Sequence, residues 1–174
     1  MKVRGKSPEI HSSCFVAPSA DVVGDVVVGE KSSIWFQCVL RGDVMPIRVG
    51  QETNIQDGTV IHGTMGQWGV SIGDRVTIGH KVMLHGCEIG DEAFIGMGAI
   101  LLDGVVIAPR SFVGAGSLVT QGTRTKSEWL YLGSPAKPVR ALKPEELKFL
   151  KQSAKNYEMY QQWYKKGSPH GSDI

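Results

Sequence analysis

A beat of six residues runs through most of this chain and leaves few folds open to it. Branched or long aliphatics recur at Val16, Val22, Val28, Ile34 and Leu40, six apart each time. After three extra residues the beat resumes at Val49, Ile55 and Ile61, and after five more at Ile72, Ile78 and Leu84. One residue is then dropped, and Ile89, Ile95, Leu101, Ile107, Val113 and Val119 follow. The fifth place of each unit is small or β-branched, as at Ser32, Val44, Thr53, Thr59, Ala99 and Ser117. This is neither the 3.6 period of a helix nor the alternation of a plain strand. It predicts short strands joined by tight corners, three strands to a coil, with places one and five pointing inward. About seventeen units give between five and six coils. Glycine supplies 22 of the 174 residues, well above the usual share of about 7%, as a backbone that turns so often requires.

A regular solenoid expels extra residues as surface loops. One such interruption is expected around Pro46-Ile47-Arg48, and another within residues 63–71, directly after His62. The second either covers a site at His62 or is a tolerated insertion. From Lys143 the pattern changes. Pro144-Glu145-Glu146 has the proline and early carboxylates of a helix start, and Leu147, Leu150, Ala154 and Tyr157 mark one face of a helix reaching about Lys165. The expected organisation is a β-helix with its connecting turn over residues 1–142, a C-terminal helix over 143–166 and a flexible tail over 167–174. His170 falls in that tail and His11 precedes the first repeat, and neither carries a functional signal.

The net charge of +2, without basic or acidic runs, gives no sign of a nucleic-acid partner. No apolar stretch approaches the roughly 20 residues of a membrane span, and the opening MKVRGKSPEIHSS has no signal-peptide core. Cys14, Cys38 and Cys87 are an odd, widely spaced set, a poor disulfide framework that points to a reducing cytoplasm.

Counting places within units converts sequence into geometry. Units three apart lie on one face of successive coils, stacked about 4.8 Å apart. Arg41, His62 and His85 hold place two of such units and form one outward column, although the dropped residue before Ile89 leaves His85 open to a shift of one place. His80 holds place three of a unit on a different face, directly above Asp57 with Gln56 alongside. A lone surface histidine is ordinarily just solvated. Two stacked imidazoles can share a first-row metal at about 2.0–2.1 Å. His80, on another face of the same prism, is out of their reach, but a second copy of the chain can supply it. The positions therefore predict a cyclic trimer with a metal at each interface. Cys87 and Cys38 take small inward places and belong to the core. Arg41 and Asp43 form a surface pair suited to a subunit contact, and Trp35 and Phe36 read as interface packing as readily as anything chemical.

The stretches LRGD (40–43), TNIQDG (53–58), IH (61–62), IGHKVMLHGCEIGD (78–91), GMGAILLDG (96–104) and YLGSPAKPVR (131–140) resemble the γ-class carbonic anhydrases, above all their small bacterial relatives. The resemblance covers roughly residues 8–165 and implies a left-handed parallel β-helix of hexapeptide repeats, mainly β, with a C-terminal α-helix packed on its flank. It also implies a homotrimer holding zinc, or ferrous iron in some members, between His62 and His85 of one chain and His80 of its neighbour. Arg41, Asp43 and Asp57 resemble an interface ion-pair network, and Gln56 a residue that bonds metal-bound hydroxide or orients carbon dioxide, supported by Asn54. Tyr131 resembles a residue that approaches the site. The implied reaction is reversible hydration of carbon dioxide to bicarbonate by metal-bound hydroxide, since three neutral nitrogens lower the pKa of bound water to about 7.

Residues 63–71 depart from the best-studied members. They hold no carboxylate and no histidine, so the acidic proton relay is missing and low activity is expected. Three other functions stay open. A thioesterase or related hydrolase would use the same metal hydroxide. A hexapeptide-repeat acyltransferase would need a catalytic base and a groove for the coenzyme A arm, not stacked histidines. A trimeric scaffold would keep the metal for stability alone.

Overall fold

A computed structural model of the chain describes residues 1–165; the expected tail and His170 lie outside the described residues. The six-residue beat becomes a parallel β-helix of three faces. The first face stacks Val16, Ile34, Ile55, Ile78, Ile95, Val113 and Tyr131 in register. The second stacks Val22, Leu40, Ile61, Leu84, Leu101 and Val119. The third stacks Ile10, Val28, Val49, Ile72, Ile89 and Ile107. These residues fill the interior, with Ile34, Leu40, Ile55, Ile61, Ile78, Leu84 and Ile95 all 0% exposed.

Most fifth places are buried too, and where they are hydroxyls they bond backbone carbonyls of the next coil. Thr53 Oγ1 donates to the Gly73 carbonyl at 2.8 Å and Thr59 Oγ1 to the Gly79 carbonyl at 3.0 Å. Each hydroxyl thus ties its coil to the next and leaves no buried donor unpaired. The corners turn through left-handed residues at place four, including Lys31, Gln37, Glu52, Arg75 and Lys81 with φ between 54° and 58°. A non-glycine residue tolerates that region at a modest steric cost, which the hydrogen bonds on either side of each corner offset.

The structure departs from the sequence reading in four places. The coil count is about seven rather than five to six, because Ile10 and Tyr131 add rungs at the two ends. Around Pro46 no loop is expelled. Strand Val39–Val49 runs continuously round a corner beside Asp21–Val28, whose register shifts between Gly24 and Val26 to absorb the extra residues. Ile47 takes the buried place there at 1% exposure, and Val44 is only half-buried. Residues 124–142, expected as the connecting turn, hold an antiparallel pair of strands, Trp129–Gly133 and Ala136–Ala141, that extends the first face.

The helix Pro144–Lys165 then runs back along that face. Glu146 reaches back to the Lys143 amide at 2.7 Å and holds Arg140 through both carboxylate oxygens, closing the helix start. Leu150 and Ala154 are buried, the Thr77 and Ser153 hydroxyls meet at 3.0 Å, and Gln161 Nε2 donates to the Lys31 carbonyl at 2.8 Å. Trp35 packs edge-on against Tyr157 and Tyr164 at 5.4 and 5.3 Å between ring centroids, and Phe36 meets Tyr164 at 5.7 Å. Both rings therefore face the chain's own helix. No helix among the described residues is long and apolar enough to cross a membrane.

Candidate metal centre

His62 ends strand Val60–His62 and His85 ends strand Met83–His85, and the two residues are register partners. Their rings lie 5.4 Å apart between centroids. No one-place shift occurs. The dropped residue is absorbed beyond His85, at Gly86, whose φ of +58° turns the corner early. His80 sits past strand Thr77–Ile78, at the opposite corner of the second face, with Asp57 one rung below it.

Each of the three imidazoles rests on a carboxylate. His62 Nε2 is 3.0 Å from Asp43 Oδ1, His80 Nδ1 is 2.8 Å from Asp57 Oδ2, and His85 Nδ1 is 2.8 Å from Asp103 Oδ1. Each carboxylate is in turn held at its other oxygen. Arg41 donates to Asp43 Oδ2 at 2.6 Å, the Phe36 amide donates to Asp57 Oδ1 at 3.3 Å, and Thr64 Oγ1 donates to Asp103 Oδ2 at 2.8 Å. Burial works to raise the Asp43 pKa, but the hydrogen bonds from Arg41 and His62 outweigh it and hold the carboxyl below its ordinary value. A neutral imidazole that donates one N–H to a carboxylate presents a bare lone pair at its other nitrogen. That nitrogen is Nδ1 in His62 and Nε2 in His80 and His85, and none of the three has a protein partner among the described residues. Three such donors suit a divalent cation of zinc's chemistry. Within one chain, no group of three His, Cys, Asp or Glu among the described residues comes together to hold a metal.

The other expected residues divide. Gln56, 5% exposed, precedes Asp57 and donates its amide to Asn54 Oδ1 at 3.0 Å; Asn54 donates to Thr77 Oγ1 at 3.0 Å. Both sit at the His80 corner, under the helix. Tyr131 does not join the histidines of its own chain. It points inward three rungs beyond Ile78, 4% exposed, and its hydroxyl accepts from the Lys126 amide at 2.9 Å. Sequence reasoning missed Asp103 and Thr64. Asp103 stands one rung above Gly86, at place three of its unit, while Leu102 takes the place above His85, so a same-place count passes over it. On the outside of the second face, between the two histidine corners, Val39, Val60, Met83, Ile100 and Leu118 form one apolar column. Met83 is 37% and Ile100 40% exposed.

Comparison with known proteins agrees with this architecture. Residues 69–101 and 86–121 match the family of bacterial transferase hexapeptide proteins (six repeats). Gamma carbonic anhydrase 2, mitochondrial, of Arabidopsis thaliana is 52% identical over 90% of this chain, which spans 58% of that relative's length. A carbonic anhydrase of Geobacillus kaustophilus is 42% identical over 93% of this chain and 88% of its own. The crystal structure of a hexapeptide transferase family protein from Anaplasma phagocytophilum superposes with a TM-score of 0.90 at 45% identity, covering 94% of this chain and 96% of the other. Fold and repeat together define a hexapeptide-repeat β-helix protein. Within that class, the chain belongs to the γ-carbonic-anhydrase-like family.

Proposed function

We propose that this protein is a metal-dependent carbonic anhydrase, hydrating carbon dioxide reversibly to bicarbonate at sites shared between copies in a cyclic trimer. One observation carries the reading: three histidines, each backed by a carboxylate fixed at its far oxygen, lie two at one corner and one at the other corner of a single face. A threefold arrangement turning that face toward the axis sets the His62–His85 corner of each copy against the His80 corner of the next. The apolar column ending in Ile100 and Leu118 is then covered by its own symmetry mates, as exposed apolar surface of this kind requires.

His62, His85 and a neighbour's His80 would hold the ion, zinc or ferrous iron. Three neutral nitrogens would leave such an ion its full charge, and the chemistry it would supply there is hydroxide from water near pH 7. Asp43, Asp57 and Asp103 fix the tautomer and aim of each imidazole. Gln56, its amide committed to Asn54, keeps its carbonyl oxygen for the substrate side of the His80 corner. Arg41 holds Asp43 and borders the neighbour's Asp57. Loop 63–71 offers no carboxylate or imidazole to carry the released proton, so turnover depends on buffer and is slow without it.

Mixed assembly tests the shared site. His62→Ala and His80→Ala trimers each lose metal; refolded together, every mixed trimer regains one intact site in three. No recovered metal despite demonstrated subunit exchange refutes the sharing. Stopped-flow carbon dioxide hydration, run beside a thioester hydrolysis assay, tests the reaction, and thioester cleavage without hydration would transfer the site to a hydrolase.

A further inference from the structure

The carboxylates behind His80 and His62 are steadied by a backbone amide and a guanidinium, whereas the one behind His85 depends on a hydroxyl carried by a loop. That loop, residues 63–71, closes on itself. The Thr64 amide donates to the Trp68 carbonyl at 2.9 Å, and the Trp68 and Gln67 amides return to the Thr64 carbonyl at 3.0 and 3.1 Å. Trp68 lies across two glycines of the next rungs. A Cβ on Gly86 would stand 2.6 Å from Trp68 Cβ, and one on Gly104 would meet the indole at 3.4 Å. The same Cβ on Gly86 would collide with Asp103 Oδ1. Glycine at 86 therefore leaves room for both the Trp68 Cβ and the carboxylate. With Trp68 seated, Thr64 Oγ1 donates to Asp103 at 2.8 Å, and Asp103 accepts from His85 at 2.8 Å. Asp103 has no other side-chain or backbone donor among the described residues at these oxygens.

We propose that Thr64 is a positioning residue for the metal centre: its hydroxyl locks the Asp103 carboxylate, which aims His85, so loop 63–71 acts as a strap that sets metal affinity. Removing the hydroxyl frees the carboxylate to rotate and to take water, and the imidazole loses its fixed direction. This rests on His85 being a ligand, as proposed above. An acidic relay is absent from the loop, and a holding function accounts for what the loop does contain: a hydroxyl at its start and an indole at its foot.

The test titrates cobalt(II) into metal-free protein against a chelator and follows the visible absorption of the bound ion, for the parent, Thr64→Val, Thr64→Ser, Asp103→Asn and His85→Ala. Loss of an outer partner of a ligating histidine typically costs 10- to 100-fold in affinity. Thr64→Val should therefore bind about tenfold more weakly with an altered cobalt band. Thr64→Ser should match the parent, and the thermal midpoints of the metal-free proteins should agree. Parent-like binding by Thr64→Val beside weakened Asp103→Asn overturns the strap, as does a Thr64→Ser variant that is no better than Thr64→Val. Undiminished cobalt binding by His85→Ala instead overturns the metal reading itself, and the strap falls with it.

Discussion

Placing aspartate at Ile100 puts a charge within the apolar column that the trimer reading covers. Ile100 is 40% exposed in the single chain and points away from the core, so Ile100→Asp leaves the β-helix interior untouched. Burying a whole aliphatic side chain is worth about 1.5–3 kcal/mol, so covering the open part of Ile100 contributes about 1 kcal/mol per copy. A carboxylate enclosed there without a partner costs several kcal/mol more. Over three copies around one axis the penalty reaches on the order of 10 kcal/mol, and each 1.4 kcal/mol is a factor of ten in association. Sedimentation should show the parent at about three times the 18.9 kDa chain mass and Ile100→Asp at the single-chain mass. Val139→Asp, at a site 52% exposed on the terminal strand pair, should stay trimeric. On the shared-site reading, the monomeric variant should also lose its metal while keeping a parent-like circular dichroism spectrum. A trimeric Ile100→Asp, or a monomer that still binds one ion tightly, would refute the reasoning.

Acid should act at the helix start. The hydrogen bonds from Arg140 and the Lys143 amide lower the Glu146 pKa from 4.5 to about 2. A depressed carboxyl stabilises the fold above its unfolded pKa and loses that contribution as pH falls through its folded one. The difference in thermal midpoint between parent and Glu146→Gln should thus be full at pH 7, shrink between pH 4.5 and 2, and narrow with added salt; a pH-independent difference would argue against the pairing. The thiols make a separate prediction: burial pushes Cys38 up to about 11 and Cys87 up to about 12. Thiolate is the reactive form, so neither should label with a maleimide at pH 8 until denaturant exposes them, and rapid native labelling of either would contradict its inward place.

The sequence carried the architecture because stacking makes periodicity and geometry the same statement. Once every third unit shares a face, His62 and His85 must be neighbours and His80 must look elsewhere, and the register bears out that count. What the beat could not express was how the backbone absorbs irregular spacing. At residues 46–48 the extra length disappears into a strand bent round a corner where Gly24 pairs with Gly42, two positions at which a side chain would collide with the facing backbone. The outermost rungs at Ile10 and Tyr131 also escaped although both keep the six-residue beat: Ile10 stands six before Val16, and Tyr131 twelve after Val119, with the non-aliphatic Thr125 at the place between. At the site, selecting by histidine found the ring nitrogens and overlooked Asp103 and Thr64. Their part is visible only when distances reveal which oxygen each proton faces.

The helix that returns along the first face joins the latest-made part of the described chain to the earliest. Gln161 reaches the carbonyl of Lys31, and Tyr164 lies against Phe15 and Trp35. A ribosome adding about 5–20 residues per second therefore leaves the aromatic flank of the first rungs bare for on the order of ten seconds before its cover emerges. Nascent copies on one polysome would display that sticky flank side by side, so the protein's need for a chaperone should be greatest while it is being made.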